Sequence, residues 1–324
     1  MKSLKKYLSC ISVLLLVSCH SELDLEDYKK ENGKDLLTLN SLVRDGSRVQ
    51  VKATSTYFFS DIHNEPDYVD NLDIVLDING EKTEKLTYDS STHLYASTFI
   101  PEQGDRVSLS TVYKGQQVTS TDVIPRSVGI EHVEVERQGP LNIYTNNDYV
   151  VTYKITFTDP LEEENYYFFQ YDRVVPGYDT SIGVRDFTHE LVFQKLADKV
   201  RSTLSDWEPY SPYGLSFSDE GIEGKTHTLI IREILQNNNN ELARETRMMR
   251  KLQLYSISKS YYEYLVSLLI TDSSSDSGLA GGLVDLGIAE PVKIHCNISG
   301  SLDILGCYSQ EEVQLDVFSV VGKF

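Results

Sequence analysis

The sequence predicts a mainly β protein: an N-terminal immunoglobulin-like β-sandwich, then a larger antiparallel β-domain with one or two short helices. Three observations carry this prediction. Apolar and polar residues alternate through most of the chain, the period of a half-buried strand. Turn signals such as Asn79-Gly80, Gln103-Gly104-Asp105 and Lys114-Gly115 separate the runs at short intervals, as in sandwiches. Helical period appears in only two stretches, both in the C-terminal half.

Residues 1–18 read as a lipoprotein signal peptide. Lys2, Lys5 and Lys6 form a basic start, and the apolar run 7–17 is shorter than the roughly 20 residues that span a bilayer. It ends in the lipobox Leu16-Val17-Ser18-Cys19, which makes Cys19 the expected lipidation site and membrane anchor. The alternative is an ordinary secretory signal with a cysteine there by chance. Residues 19–34 are polar, charged and without period, a flexible acidic tether. Glu22, Asp24, Glu26 and Asp27, just behind the lipid cysteine, resemble a surface-export signal. The expected address is therefore the outer membrane, lipid-anchored and facing the cell surface.

Residues 35–127 are the expected sandwich. Segments 48–54, 73–78 and 107–113 alternate, and the last strand reaches Val123-Ile124 before Pro125 stops it. No Cys-Trp-Cys core is present, which excludes an antibody-type domain. Residues 128–324 are the expected second domain. Segment 150–157 alternates and stops at Asp159-Pro160. Segment 165–175, with Tyr166, Tyr167, Phe168, Phe169 and Tyr171, is aromatic enough for a strand buried on both faces. Segments 226–233 and 250–257 read as further strands. Ser258 is a candidate cap for a helix over 259–271, with Tyr261, Leu265 and Leu268 on one face. Phe193, Leu196, Val200 and Leu204 fit a second amphipathic helix. A single large β-domain competes with this two-domain division of 324 residues.

Charge narrows the partners. The chain carries 30 basic and 49 acidic residues, and losing three lysines with the signal shifts the net charge from −19 to −22. Such a chain repels phosphate backbones, so nucleic acid is excluded as a partner, and so is direct adhesion to anionic lipid. The longest later apolar run, 265–270, is far short of a membrane span.

Two cysteines remain besides Cys10 and Cys19. The turn-like Ser299-Gly300-Ser301 lies between Cys296 and Cys307. A hairpin centred between Ser301 and Leu302 would set them opposite each other, close enough for a disulfide. Two buried free thiols are the alternative. Metal binding is disfavoured, because two sulfurs and His295 leave a site one ligand short.

Catalytic signatures are missing. There is no Gly-x-Ser-x-Gly elbow and no phosphate-binding glycine loop, and His189-Glu190 continues without the second histidine of a zinc helix. No enzyme activity, cofactor or metal is expected. Two loops are candidate binding segments. Trp207, Tyr210 and Tyr213 lie between and beside Pro209 and Pro212, a stiffened loop that presents aromatic faces to a ligand or turns them inward as a plug. Segment 61–70 spaces its oxygen ligands closely but lacks the Asp-x-Asp-x-Asp-Gly order of a calcium loop, and reads as solvated.

Several phrases, in order, resemble the Bacteroidota outer-membrane lipoproteins grouped as domain of unknown function 4249. After the lipobox come Val123-Ile124-Pro125, then Ile155-Thr156-Phe157-Thr158-Asp159-Pro160 leading to Asn165-Tyr166-Tyr167. Phe217-Ser218-Asp219-Glu220 with Gly224-Lys225 follow, then Ser256-Ile257-Ser258 with Tyr261-Tyr262-Glu263-Tyr264-Leu265. Glu290-Pro291-Val292 with Asn297-Ile298-Ser299-Gly300 come last. The family's usual glycine-rich final phrase is replaced here by Gly306-Cys307-Tyr308. The resemblance implies a neighbour, a TonB-dependent outer-membrane receptor, and supplies no catalytic residues. An adhesive or structural surface protein is the alternative, with a surface hydrolase behind it.

Overall fold

The computed structural model describes residues 36–56, 66–142, 148–161, 163–175, 178–180, 184–186, 190–193, 195, 215–235, 249–276 and 293–316. The expected signal, tether and Cys19 lie outside these residues, as do Trp207, Tyr210 and Tyr213.

The N-terminal strands are β1 (Leu37–Arg44), β2 (Gln50–Ser55), β3 (Asp67–Tyr68), β4 (Val75–Ile78), β5 (Lys82–Lys85), β6 (Thr87–Asp89), β7 (Leu94–Ala96), β8 (Arg106–Tyr113) and β9 (Gln116–Val123). Period two explains them. In β1, Leu37, Leu39, Ser41 and Val43 point inward while the residues between them do not. Lys114 and Gly115 both take positive φ, 49° and 82°, and make the two-residue primed turn that sets Tyr113 opposite Gln116. β4, β5, β8 and β9 form a four-stranded antiparallel sheet, which packs over β1, β2 and β7. Leu39, Val51, Leu76, Leu109 and Val118 meet in the first core.

The later strands are β10 (His132–Leu141), β11 (Asp148–Thr158), β12 (Tyr166–Val175), β13 (Tyr178–Thr180), β14 (Val184–Asp186), β15 (Leu215–Ser218), β16 (Thr226–Leu235) and β17 (Met249–Ile257), followed by helix α1 (Lys259–Asp276). β10, β11, β16 and β14 form a second four-stranded sheet, which covers β12, β15 and β17 across a core of Tyr153, Phe157, Tyr167, Phe169, Leu229 and Leu252. The alternating aromatics of β12 serve two cores, as its composition predicts. Tyr167, Phe169 and Tyr171 enter this second core, while Tyr166 and Phe168 turn to the opposite face under α1.

β18 (Leu302–Asp316) closes both cores. Its first part runs parallel to β1, with Cys307 opposite Val43. Its second part runs antiparallel to β17, with Ser309 opposite Ser256. The result is one ten-stranded sheet ordered β13-β12-β17-β18-β1-β2-β7-β6, with β15 also paired to β12 and β3 to β2. Ile124 lies in the first core and Val128 in the second. Yet Ile298, Leu305 and Cys307 return to the first core, so the segment after 128 contributes to both.

Two expectations need correction. No hairpin forms around Ser301, because Leu302–Tyr308 pairs with β1 instead. Cys296 and Cys307 are both free thiols, the alternative left open by the sequence. The buried stripe of α1 is Tyr262, Leu265, Val266 and Leu269, not the Tyr261, Leu265 and Leu268 face. Tyr261 sits instead against Gly306, where any Cβ would lie 3.0 Å from its side chain. Ser258 does cap α1, its Oγ accepting the Tyr261 N–H at 3.2 Å. Of the second expected helix, residues 191–193 and 195 are helical and Phe193 is buried, while Leu196, Val200 and Leu204 lie outside the described residues.

Candidate functional site

Three chain turns meet at one end of the second core. They are the 159–165 turn before β12, the 219–225 turn between β15 and β16, and the start of α1. Two carboxylates fasten the first two together. Asp219 accepts the Asn165 N–H at 2.7 Å through Oδ2, and its own N–H donates to the Asn165 carbonyl at 3.0 Å. Asp159 accepts the Gly224 N–H at 2.9 Å and the Tyr167 hydroxyl at 2.5 Å. Gly224 has φ +62°, and Leu161 packs so closely that an added Cβ would stand 2.4 Å from its Cδ1. Only glycine fits there.

These turns enclose a cleft of about 610 Å³. Val192, Phe217 and Tyr262 contribute apolar surface, and Tyr166 lies over Tyr262 with ring centroids 4.8 Å apart. Among the described residues six carboxylates stand around it: Glu163, Glu164, Asp219, Glu220, Glu223 and Glu263. Two cations answer some of them. Lys259 reaches the Glu164 carboxylate at 3.2 Å, and Lys195 reaches the Glu220 carboxylate at 3.5 Å. Burial pushes the Asp219 carboxyl upward against the opposing pull of the Asn165 N–H, with repulsion from Asp159 and Glu223 adding to it. Burial likewise pushes Tyr262 up to about 12, so its phenol stays protonated at neutral pH. Among the described residues no group of three or more His, Cys, Asp or Glu is arranged to hold a metal ion. The lining can hold a hydrogen-bonding or cationic group between carboxylates and tyrosine rings.

Sequence phrases that are scattered along the chain converge here. Asp159, Asn165 to Tyr167, Phe217 to Glu220, Gly224, and Tyr262 with Glu263 all belong to this end of the molecule.

Sequence reasoning missed two further features. Glu190, 3% exposed, meets His227 Nε2 at 3.1 Å, so the glutamate of the incomplete zinc phrase pairs with an imidazole on β16. Arg250 and Glu233 are fully buried and meet twice at 3.1 Å between the two sheets of the second core. The Tyr171 and Tyr153 hydroxyls donate to the same carboxylate at 2.5 and 2.8 Å. Burial opposes the guanidinium charge, but Glu233 and the phenol oxygens hold Arg250 above its ordinary value. Period two placed both residues on core-facing positions of their strands, which was the available signal.

A family model described as "Domain of unknown function (DUF4249)" matches residues 21–313. No curated protein matches the chain.

Proposed function

The chain belongs to the domain of unknown function 4249 family, and from that premise we propose a lipid-anchored outer-membrane lipoprotein that serves, without catalysis, as an accessory or ligand-capturing partner of a TonB-dependent transporter. The lipobox Leu16-Val17-Ser18-Cys19 is the observation that carries this reading. No helix among the described residues is long and apolar enough to cross a membrane, and in this reading the acyl chains on Cys19 do the anchoring. The acidic tether favours the outer face of the membrane. An immunoglobulin-type N-terminal sandwich would then stand nearest the lipid, since it follows the tether in the chain.

The acidic cleft supports the partner role. Its walls are turns fixed by backbone-to-carboxylate hydrogen bonds, so the tyrosines and surface carboxylates are presented with little ordering cost. Carboxylates of one sign favour orientation and rapid capture of a complementary surface.

Fractionation and capture test the proposal together. Cys19→Ser should move the protein from the membrane fraction to the soluble one. Affinity capture of the acylated protein from native membranes after mild crosslinking should recover a TonB-dependent receptor. Retention of Cys19→Ser in the membrane would refute the lipid anchor. Anchored protein that crosslinks only to other surface proteins would refute the transporter partnership and favour the adhesive reading.

A further inference from the structure

The acidic cleft at the end of the second core has an apolar rim that its carboxylates do not explain. Leu161 and Leu191 are the two most exposed large hydrophobic side chains among the described residues, at 77% and 67%. Both stand at this cleft. Leu161 lines it and lies across Gly224, which has no Cβ to push it away. Leu191 precedes Lys195 by about one helical turn, so the two project from one face, and Lys195 lines the cleft with Val192. Single exposed leucines are ordinary, but two at the rim of one cleft, beside the Phe217 and Tyr262 rings that line it, mark a docking surface.

The carboxylates give the charge of the occupant. Four of the six are already met: Glu164 by Lys259 at 3.2 Å, Glu220 by Lys195 at 3.5 Å, Glu263 by His295 at 3.3 Å, and Asp219 by the Asn165 N–H at 2.7 Å. Glu163 and Glu223 are exposed, line the cleft and make no ion pair with a described residue. Lys259 shows how this lining holds a primary ammonium. Its Nζ is 3.2 Å from Glu164 and 5.9 Å from the centroid of the Tyr166 ring, whose hydroxyl donates to the same carboxylate at 2.9 Å. A further ammonium or guanidinium would find Glu163 and Glu223 open to it.

Other occupants fit less well. An anion is repelled by the lining. A sugar needs a free aromatic face, but Tyr166 already carries Lys259 and lies against Tyr262 at 4.8 Å. A small polyamine has the charge but leaves Leu161 and Leu191 in water. A segment that combines basic and apolar residues answers both features.

We infer that the cleft docks a peptide segment of a partner protein, which sets a lysine or arginine on Glu163 and Glu223 and an apolar side chain against Leu161 and Leu191. The inference rests on the reading of the chain as a capturing partner and adds the chemistry of what is captured.

Isothermal titration of the full acylated chain in nonionic detergent tests it with three blocked peptides and spermidine. Leu-Lys-Ala-Lys-Leu should bind, and Leu-Glu-Ala-Glu-Leu should not. Ser-Lys-Ala-Lys-Ser and spermidine should bind more weakly than the first peptide. Glu163→Gln with Glu223→Gln should weaken binding about three- to tenfold, and Leu191→Ser about two- to threefold, with unchanged thermal unfolding because all three side chains are exposed. Glu81→Gln with Glu102→Gln removes the same charge from exposed positions in the turns before β5 and β8 and should leave affinity unchanged. Absence of binding by the first peptide would overturn the inference. So would equal binding of the serine peptide or spermidine, or an equal loss in the two glutamine pairs, each of which would mean charge attraction without docking. The titration uses no receptor: a failed receptor crosslink in native membranes leaves it standing, and failed peptide binding leaves the lipid anchor and receptor capture standing.

Discussion

Asp122 makes a pH-dependent contribution to stability whose sign and size follow from its surroundings. It lies in β9 at the seam of the two cores. Its Oδ2 accepts the Ser258 hydroxyl at 2.5 Å and the Cys307 N–H at 3.0 Å, and its Oδ1 accepts the Val123 N–H at 2.9 Å. One carboxylate thus joins β9, the cap of α1 and β18. Burial outweighs these hydrogen bonds and raises its pKa from 3.8 to about 6. A carboxyl raised in the folded state stabilises fully below its unfolded value and loses that contribution as pH rises through the folded value. About two units at about 1.4 kcal/mol each gives about 3 kcal/mol, reduced to about 2 kcal/mol by partial solvent access. Asp122→Asn keeps an oxygen acceptor and removes the titration. In urea unfolding followed by circular dichroism, the stability of wild type minus that of the variant should fall by about 2 kcal/mol between about pH 4 and pH 7. Asp122 would not titrate as argued if that difference stayed flat across the range.

The buried ion pair and the thiols give two further tests. Arg250→Met alone should cost about 3–5 kcal/mol, because Glu233 is left charged in the core. Adding Glu233→Leu should recover most of that loss in thermal unfolding, since the Tyr171 and Tyr153 hydroxyls lie 3.3 Å apart and can pair with each other. A double variant as unstable as the single would refute this account. In unreduced protein, iodoacetamide should label Cys296 and Cys307 together only after denaturation. In the native state Cys296 should react first, because burial and the nearby Asp122 hold the Cys307 thiol well above its usual value. Recovery of a linked Cys296–Cys307 peptide would contradict the free-thiol state.

Elements whose signal is local were legible. β8 and β9 are joined by Lys114-Gly115, which needs only its own positive φ angles, and β11, β12, β16 and β17 each show an alternating or continuous apolar run that matches their burial. The face of α1 was not legible, because Tyr261, Tyr262, Leu265, Val266, Leu268 and Leu269 form one continuous apolar sector about 160° wide, and the local pattern does not say which part of it is buried deepest. Contacts elsewhere choose among them: Gly306 admits Tyr261 against β18, and the stripe beginning at Tyr262 settles over β12 and β17. The cleft was half legible. Its phrases were visible, but nothing local distinguishes Asp159 and Asp219, which clamp backbone N–H groups, from Glu163 and Glu164, which face solvent.

The misread segment, 296–308, shows why local signals fail at a seam. Ser299-Gly300-Ser301 has hairpin composition, but Gly300 is required by a strand from far upstream. At φ +79°, a Cβ there would stand 2.3 Å from the Gln117 carbonyl oxygen, and Ser299 exchanges backbone hydrogen bonds with Thr119. Gly306 likewise yields to Leu42 and Tyr261, and Cys307 fills the first core while its N–H reaches Asp122. Asn297 and Leu305 bond each other within the segment, but Ser299, Gly300, Gly306 and Cys307 meet other parts of the chain, and the pairing with β1 is parallel, which no short turn can specify. Composition at such positions records the partner's shape rather than the segment's own conformation. The same reasoning makes β18 the element through which the two cores are coupled: one strand supplies Leu305 and Cys307 to the first and Leu315 to the second, so neither sandwich is complete without it.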